Sequence, residues 1–210
     1  MRSIEALENR IIGLVTLMLV AIVLFFSPIT QGDYEDGVNA AFDGDFDTAY
    51  LEFLTAAQDG LDLAQYNLGI LYFTGQGVSQ DLEQAFRWTE AAANQGHLNA
   101  QFNLGSLYLE GQGTRQNDVL GIDWFVRAGH SGHPSAAFAL AKMYQQGDPI
   151  PKDLIQAYAW AAKAENNDHD EGTTLKEEIA SELNPPELSQ ARRLFATWQL
   201  APPLPDLPSQ

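Results

Sequence analysis

Across Ala64 to Gly75, the residues Ala64, Leu68, Leu71, Tyr72 and Gly75 fall on one stripe at helical spacing. Gly75 is placed to close this helix in a left-handed conformation, which costs glycine little. A short loop, Gln76-Gly77-Val78-Ser79-Gln80, comes next. Asp81 then offers an N-cap for a second helix, Leu82 to Asn94, with Ala85, Trp88 and Ala92 as its buried stripe and Gly96 at its end. Small residues at Ala64 and Gly69 allow a neighbouring helix to approach closely. The pattern predicts a helical hairpin.

The hairpin recurs at a shift of 36 residues. Ala64-Gln65-Tyr66-Asn67-Leu68-Gly69 returns as Ala100-Gln101-Phe102-Asn103-Leu104-Gly105, and in weaker form as Ala136-Ala137-Phe138-Ala139-Leu140-Ala141. Tyr72, Tyr108 and Tyr144 share a slot, as do Gly75, Gly111 and Gly147, Trp88, Trp124 and Trp160, and Ala92, Ala128 and Ala164. A gapless period of this length is the mark of a solenoid, in which each unit buries its apolar face only against its neighbours. His97 and His133 occupy the next N-cap position, with Pro134 suited to the first helical position. His169 recurs in the same slot, and a capping role accounts for all three.

Upstream lies a shorter unit, with helices predicted over Tyr34–Phe42 and Phe46–Gln58, a tight turn at Asp43-Gly44-Asp45, and Ala49, Phe53 and Ala56 facing inward. Downstream, a helix is predicted over Thr173–Leu183. A second restarts at Asn184-Pro185-Pro186-Glu187, with Asn as cap and Glu at the third position. Leu188, Ala191, Leu194, Phe195 and Trp198 form its apolar face, so this pair shields the last repeat from water. The chain thus divides into a hydrophobic leader (1–32), a short first unit (33–62), three full units (63–98, 99–134 and a divergent 135–170), terminal capping helices (171–200) and a Pro-rich tail (201–210).

The leader carries an uncharged apolar run from Ile11 to Phe26. At about 1.5 Å per residue it gives roughly 24 Å of helix, close to a ~30 Å hydrocarbon core. Arg2 and Arg10 precede it and no further Lys or Arg appears before Arg87, an asymmetry that keeps the N-terminus cytoplasmic and exports the rest of the chain. Two readings stand: an uncleaved single-pass anchor in the inner membrane with the body in the periplasm, or a signal peptide whose removal leaves a periplasmic protein.

Charge and composition then narrow the functions. The 28 Asp+Glu against 11 Lys+Arg give a formal charge of −17, which repels nucleic-acid phosphates and anionic lipid alike. The absence of Cys excludes disulfides, thiol catalysis and thiolate metal sites.

The pattern Ala-x-x-x-Leu-Gly-x-x-Tyr-x-x-Gly-x-Gly, with Asp, Ala, Trp and Ala-Ala after it at fixed offsets, resembles the Sel1-like repeat family, a 36-residue cousin of the tetratricopeptide repeat. The resemblance covers about Asp33 to Asp168. The third copy departs from it at Ala141 and at Asp148-Pro149. It implies an all-α fold, a right-handed α-solenoid of helix-turn-helix repeats preceded by one N-terminal hydrophobic helix, and a non-catalytic adaptor that binds other proteins in a bacterial envelope or signalling setting.

Candidate chemistry is sparse. His130 and His133 are too far in sequence from any carboxylate to suggest a metal site, Gly75-Gln76-Gly77 lacks the strand and Lys of a phosphate loop, and Ser131 lacks a nucleophile-elbow context. No catalytic, metal or cofactor-binding residues are therefore expected. Pro202-Pro203-Leu204-Pro205 reads as a solvated tail, with a proline-helix ligand as the alternative. On the first helices, Ala64, Leu68 and Leu71 face one neighbour, and Tyr66 and Phe73 the opposite one. The remaining sector holds Asn67, Ile70 and Thr74, then Asn103, Ser106 and Glu110, then Ala139, Lys142 and Gln146. Core slots repeat strictly and these vary, as a concave groove for a non-repetitive ligand requires. The expected partner is a protein or peptide, neutral or basic to suit the acidic chain. An envelope enzyme, or a non-catalytic subunit of an envelope enzyme complex, is the alternative, and a purely structural role in a membrane complex is a third.

Overall fold

The computed structural model describes residues 31–200. The apolar run 11–26 and the Pro-rich tail lie outside them. Among the described residues there are ten helices and no strand: α1 (Gln31–Asp43), α2 (Phe46–Gln58), α3 (Asp62–Thr74), α4 (Leu82–Asn94), α5 (Leu98–Glu110), α6 (Asp118–His130), α7 (Pro134–Gln146), α8 (Leu154–Asn166), α9 (Gly172–Glu182) and α10 (Pro185–Leu200). Each of α1 to α9 packs chiefly on its neighbours in sequence, whereas α10 returns to pack on α8. The result is an α-solenoid. Among the described helices, none is long and apolar enough to cross a membrane.

In the three full repeats the loop between the two helices is opened and closed by the same local chemistry. Asp81, Asn117 and Asp153 cap α4, α6 and α8, their side chains accepting from the backbone N–H groups of Gln84, Leu120, and Ile155 with Gln156. Their own N–H groups reach back to the carbonyls of Tyr72, Tyr108 and Tyr144 at 3.0, 2.8 and 2.9 Å, closing the loop in all three copies. The divergent third copy thus ends its loop as the others do, although its Asp148–Pro149 bond is cis. Gly75, Gly111 and Gly147 take the left-handed cap position at α3, α5 and α7.

The core is a row of equivalent slots. Leu68, Leu104 and Leu140 are all fully buried, and Ala64, Ala100 and Ala136 stand beside them with no exposed surface. Tyr66, Phe102 and Phe138 each carry the imidazole at the junction with the following repeat, His97, His133 and His169, stacked at 4.4, 4.5 and 4.1 Å between centroids. Each histidine therefore binds one repeat to the next through its ring. His97 and His133 also cap, their Nδ1 atoms accepting from the N–H groups of Ala100 and Ala136 at 3.2 Å. His169 departs from the capping expectation. Its Nδ1 accepts from Glu171, only two residues on, and the residue preceding α9 is Glu171, which makes no side-chain cap. The two-residue reach closes a turn ahead of α9.

The Trp slot is graded. Trp88 is half-buried, Trp124 is 7% exposed and Trp160 is 2% exposed. The inward stripe of α4 is Ala85, Thr89, Ala92 and Ala93, so Trp88 stands at its edge and not in it. Phe73 also departs from expectation, at 39% exposed where the helical projection predicts burial between neighbouring helices. At the C-terminus, Asn184 and Glu187 form a reciprocal capping box, each side chain accepting from the other's N–H at 3.0 Å. The Trp198 ring lies 4.6 Å from that of Trp160 and 5.1 Å from that of His130. The terminal pair therefore covers the last repeat, as solenoid ends require.

Burial holds the pKa values of His97, His130 and His133 below the ordinary 6.5, with Lys163 adding to the effect at His130 and Asp62 opposing it at His97. Below about pH 6.5 the unfolded chain therefore binds more protons than the folded one. The stability contributed by these neutral imidazoles is complete above that pH and is lost as pH falls through the folded-state values. At His133, protonation of Nδ1 also removes the acceptor that caps α7. His133→Asn keeps a capping acceptor and removes the titration. Urea unfolding between about pH 7.5 and 5.5 is expected to show a shallower acid loss in the variant than in the parent. Relief of the chain's net negative charge acts equally in both and cancels in the comparison. Equal slopes would count against the imidazole account.

Candidate partner-binding site

The first helices place the variable sector along one side of the array. Four of its residues converge. Ile70 on α3 and Asn103, Ser106 and Glu110 on α5 line one cavity of about 200 Å³. The spacing explains the convergence: positions 103, 106 and 110 are three and four apart, one face of α5, and they look across at the last turns of α3. Ser106 donates to the carbonyl of Phe102 at 3.4 Å, which leaves the oxygen lone pairs available toward the cavity. Glu110 is exposed at the mouth.

The other predicted positions are placed differently. Asn67 is half-buried, and its amide donates to the Tyr34 hydroxyl on α1 at 3.1 Å, so it serves packing between units. Thr74 turns back on its own helix, donating to the Ile70 carbonyl at 2.9 Å. Lys142 is half-buried and Gln146 exposed, both on α7, one repeat beyond the cavity. Sequence reasoning missed the floor and one wall, which are formed by Gly69, Thr89 and Phe73. Thr89 is 5% exposed and belongs to a second helix, outside the stripe that periodicity singles out. The available signal was the slot itself, which holds Thr89, Phe125 and Ala161 in successive copies.

The close approach of α3 and α4 is set by Gly69, where a Cβ would lie 2.8 Å from the Thr89 hydroxyl oxygen. Nearby, buried Gln65 donates to the Ala57 carbonyl at 3.2 Å and accepts from Gln95 at 2.7 Å, tying α2, α3 and the end of α4 together. A buried amide so satisfied fixes helix register beneath the groove. The Tyr108 hydroxyl, raised in pKa by burial and by Glu90, remains a neutral donor to Glu90 at 3.4 Å.

A broader hollow of about 360 Å³ lies between the start of α8 and α10. Of its two charged lining residues, Asp153 is already engaged in capping α8, and Arg193 donates to the Ser189 hydroxyl on its own helix at 2.8 Å. His130 is held among aromatic rings rather than beside carboxylates, and no group of three or more His, Asp and Glu able to hold a metal occurs among the described residues.

The family profile described as Sel1 repeat matches three consecutive segments, residues 62–97, 98–133 and 134–169. The chain belongs to the Sel1 repeat family. Such repeats are generally non-catalytic scaffolds for protein–protein interaction. Solved structures share the fold. A protective antigen present in uropathogenic Escherichia coli strains, displaying an SLR fold, is similar over 72% of this chain with 31% identity and a TM-score of 0.65. A Sel1 repeat protein from Oxalobacter formigenes is similar over 74% of this chain with 27% identity and a TM-score of 0.62. The matched region spans 32% and 50% of those two chains respectively, so both carry much beyond it. No curated protein matches the sequence.

Proposed function

We propose that this Sel1 repeat protein is a membrane-tethered scaffold that faces the periplasm and holds a neutral or basic protein segment along the variable sector of its first helices. The observation that carries the reading is the convergence of Ile70, Asn103, Ser106 and Glu110 on one cavity, while the repeated Ala and Leu slots of the same helices are buried. The charge supports it: between residues 31 and 86 the chain has eleven acidic residues and no Lys or Arg. Tethering rests on the apolar run from Ile11 to Phe26 and on the arginines before it.

The experiment is site-specific photo-crosslinking in the native membrane, with the crosslinking residue at position 103 or 146 on the groove and at position 87 on a second helix as control. Adducts with one defined protein are expected from the groove positions, and their yield is expected to fall as salt is raised from about 50 to 500 mM. Equal crosslinking from position 87 would remove the groove from the proposal, and salt-independent yield would remove its electrostatic part. Mass spectrometry of the N-terminal peptide from the same sample distinguishes an anchor from a cleaved leader.

A further inference from the structure

The cavity beneath the groove is a break in the repeat. One repeat on from Thr89, the slot holds Phe125, which is 4% exposed and stacks on Phe102 at 5.1 Å. Its ring fills the approach to α5 so tightly that a Cβ on Gly105 would lie 2.5 Å from Phe125 Cδ1. At the equivalent contact one repeat earlier, the side chain nearest Gly69 is the short one of Thr89, with the Thr89 N and the Ala85 carbonyl oxygen of the helix backbone behind it, and a cavity lies beside them between Ile70 and Phe73. A hydroxyl and a methyl stand where the next unit places a benzyl group.

The surroundings of that gap differ from their counterparts in ways that suit a guest. Ile70 stands where the next copy has Ser106, and Asn103 where the next has Ala139. Phe73, exposed to 39%, presents an apolar ring at the wall. Glu110 stands at the mouth, in the slot that Gln146 fills one repeat later. A volume of about 200 Å³ matches one large apolar side chain, and the pocket joins apolar Ile70, Phe73 and Leu107 to polar side chains that include Thr89 at its floor, the kind of mixed lining in which interfaces hold and orient single anchor residues.

We infer that this pocket takes one aromatic side chain of the partner, supplying from outside the ring that Phe125 supplies from within the next repeat, with an adjacent Lys or Arg of the partner paired to Glu110. The assignment rests on the proposed groove and sharpens it to a recognition element, an aromatic residue beside a basic one. Charge selects the basic neighbour, since Glu110 sits in a strongly acidic chain, and the shape left by the Phe-to-Thr difference selects the ring.

The test uses the full chain in lipid nanodiscs and three fluorescein-labelled hexapeptides: one with Phe next to Arg, one with that Phe replaced by Gly, and one with the Arg replaced by Ser. Fluorescence anisotropy is expected to show saturable binding of the first. The Gly peptide should bind at least about tenfold more weakly, and the Ser peptide should lose the salt dependence. T89F, which fills the gap as the next repeat does, should weaken the Arg-Phe peptide about tenfold while melting no lower than the parent. E110Q, at an exposed position, should bring the Arg-Phe peptide down to the level of the Ser peptide without affecting the fold. Equal affinity for the Phe and Gly peptides, unchanged binding by folded T89F, or no saturable binding up to millimolar peptide would each overturn the inference. So would a rise in affinity on removing residues 201–210, which would make the tail the occupant. If photo-crosslinks at positions 103 and 146 persist while the peptide results are negative, the groove reading stands and the anchor pocket falls. If those crosslinks are absent too, both fall.

Discussion

Gly113→Ala is expected to destabilise the protein by about 3 kcal/mol or more, and Gly96→Ala by only about 1–2 kcal/mol, although both glycines adopt positive φ. The two have similar backbones, +70° and +89°, so the intrinsic strain of a side chain is comparable. Their surroundings differ. A Cβ at Gly96 meets nothing within 4 Å, whereas one at Gly113 would lie 1.9 Å from the carbonyl oxygen of Leu82. That oxygen belongs to the first turn of α4 in the preceding repeat, so the loop after α5 must retreat by roughly 1 Å from a rigid backbone, and the seam between two repeats opens. Gly77 stands in the same relation to Phe46, 2.0 Å from its carbonyl oxygen, which shows that the contact is part of the repeat and not an accident of one loop. Thermal unfolding followed by circular dichroism should place Gly113→Ala roughly 6–12 °C below the parent, at about 2–4 °C per kcal/mol for a chain of this size. Equal shifts for the two variants would mean that φ alone decides the cost, and the seam contact would lose its role.

Much of this molecule can be read from spacing. Asp81 and the left-handed cap at Gly75 follow from local hydrogen-bond supply at helix ends, which is a property of a few adjacent residues. Leu68, Leu104 and Leu140 follow from the period, because a slot that repeats without change is one whose surroundings repeat. The features that escape depend on the neighbour across the seam. Nothing in the residues around His97 announces that its ring will lie on Tyr66, thirty-one positions earlier; that requires knowing which face of α3 meets the start of α5. A helical projection puts Phe73 in the interior because it lies opposite Leu71. Yet Phe73 stands in the last turn of α3, one residue before the helix ends, and a projection says nothing of how far along the axis a neighbouring helix reaches. The candidate site was half legible for the same reason. Ile70, Asn103, Ser106 and Glu110 stand out as variable positions on one face, but the floor comes from a second helix, where Thr89 is visible only as a departure from Phe125. Asn67 shares its residue type with Asn103, and its amide is tied to Tyr34 of the unit before.

The graded Trp slot yields the other large effect. Trp160→Ala is expected to cost about 3–5 kcal/mol, the range for deleting a buried aromatic ring, and Trp88→Ala about 1–2 kcal/mol, since part of that indole is already in water. The difference arises from the neighbours of each ring. Trp160 is enclosed by His130 at 4.7 Å, by Trp198 at 4.6 Å, and by Gly129, whose missing side chain admits the indole edge: a Cβ there would lie 2.8 Å from Trp160 Cζ3. Its removal leaves a cavity shared by α6, α8 and α10 that none of the three can close alone. Because coupling in a solenoid runs between neighbours, the damage should be local. Helix α10 packs on α8 and has no following described unit to hold it, so amide hydrogen exchange in α10 should accelerate markedly in the variant, while exchange in α2 and α3 should be nearly unchanged. A uniform acceleration across the described helices would show instead that the array unfolds as one cooperative block, and the terminal pair would then be an integral part of the core and not a lid laid upon it.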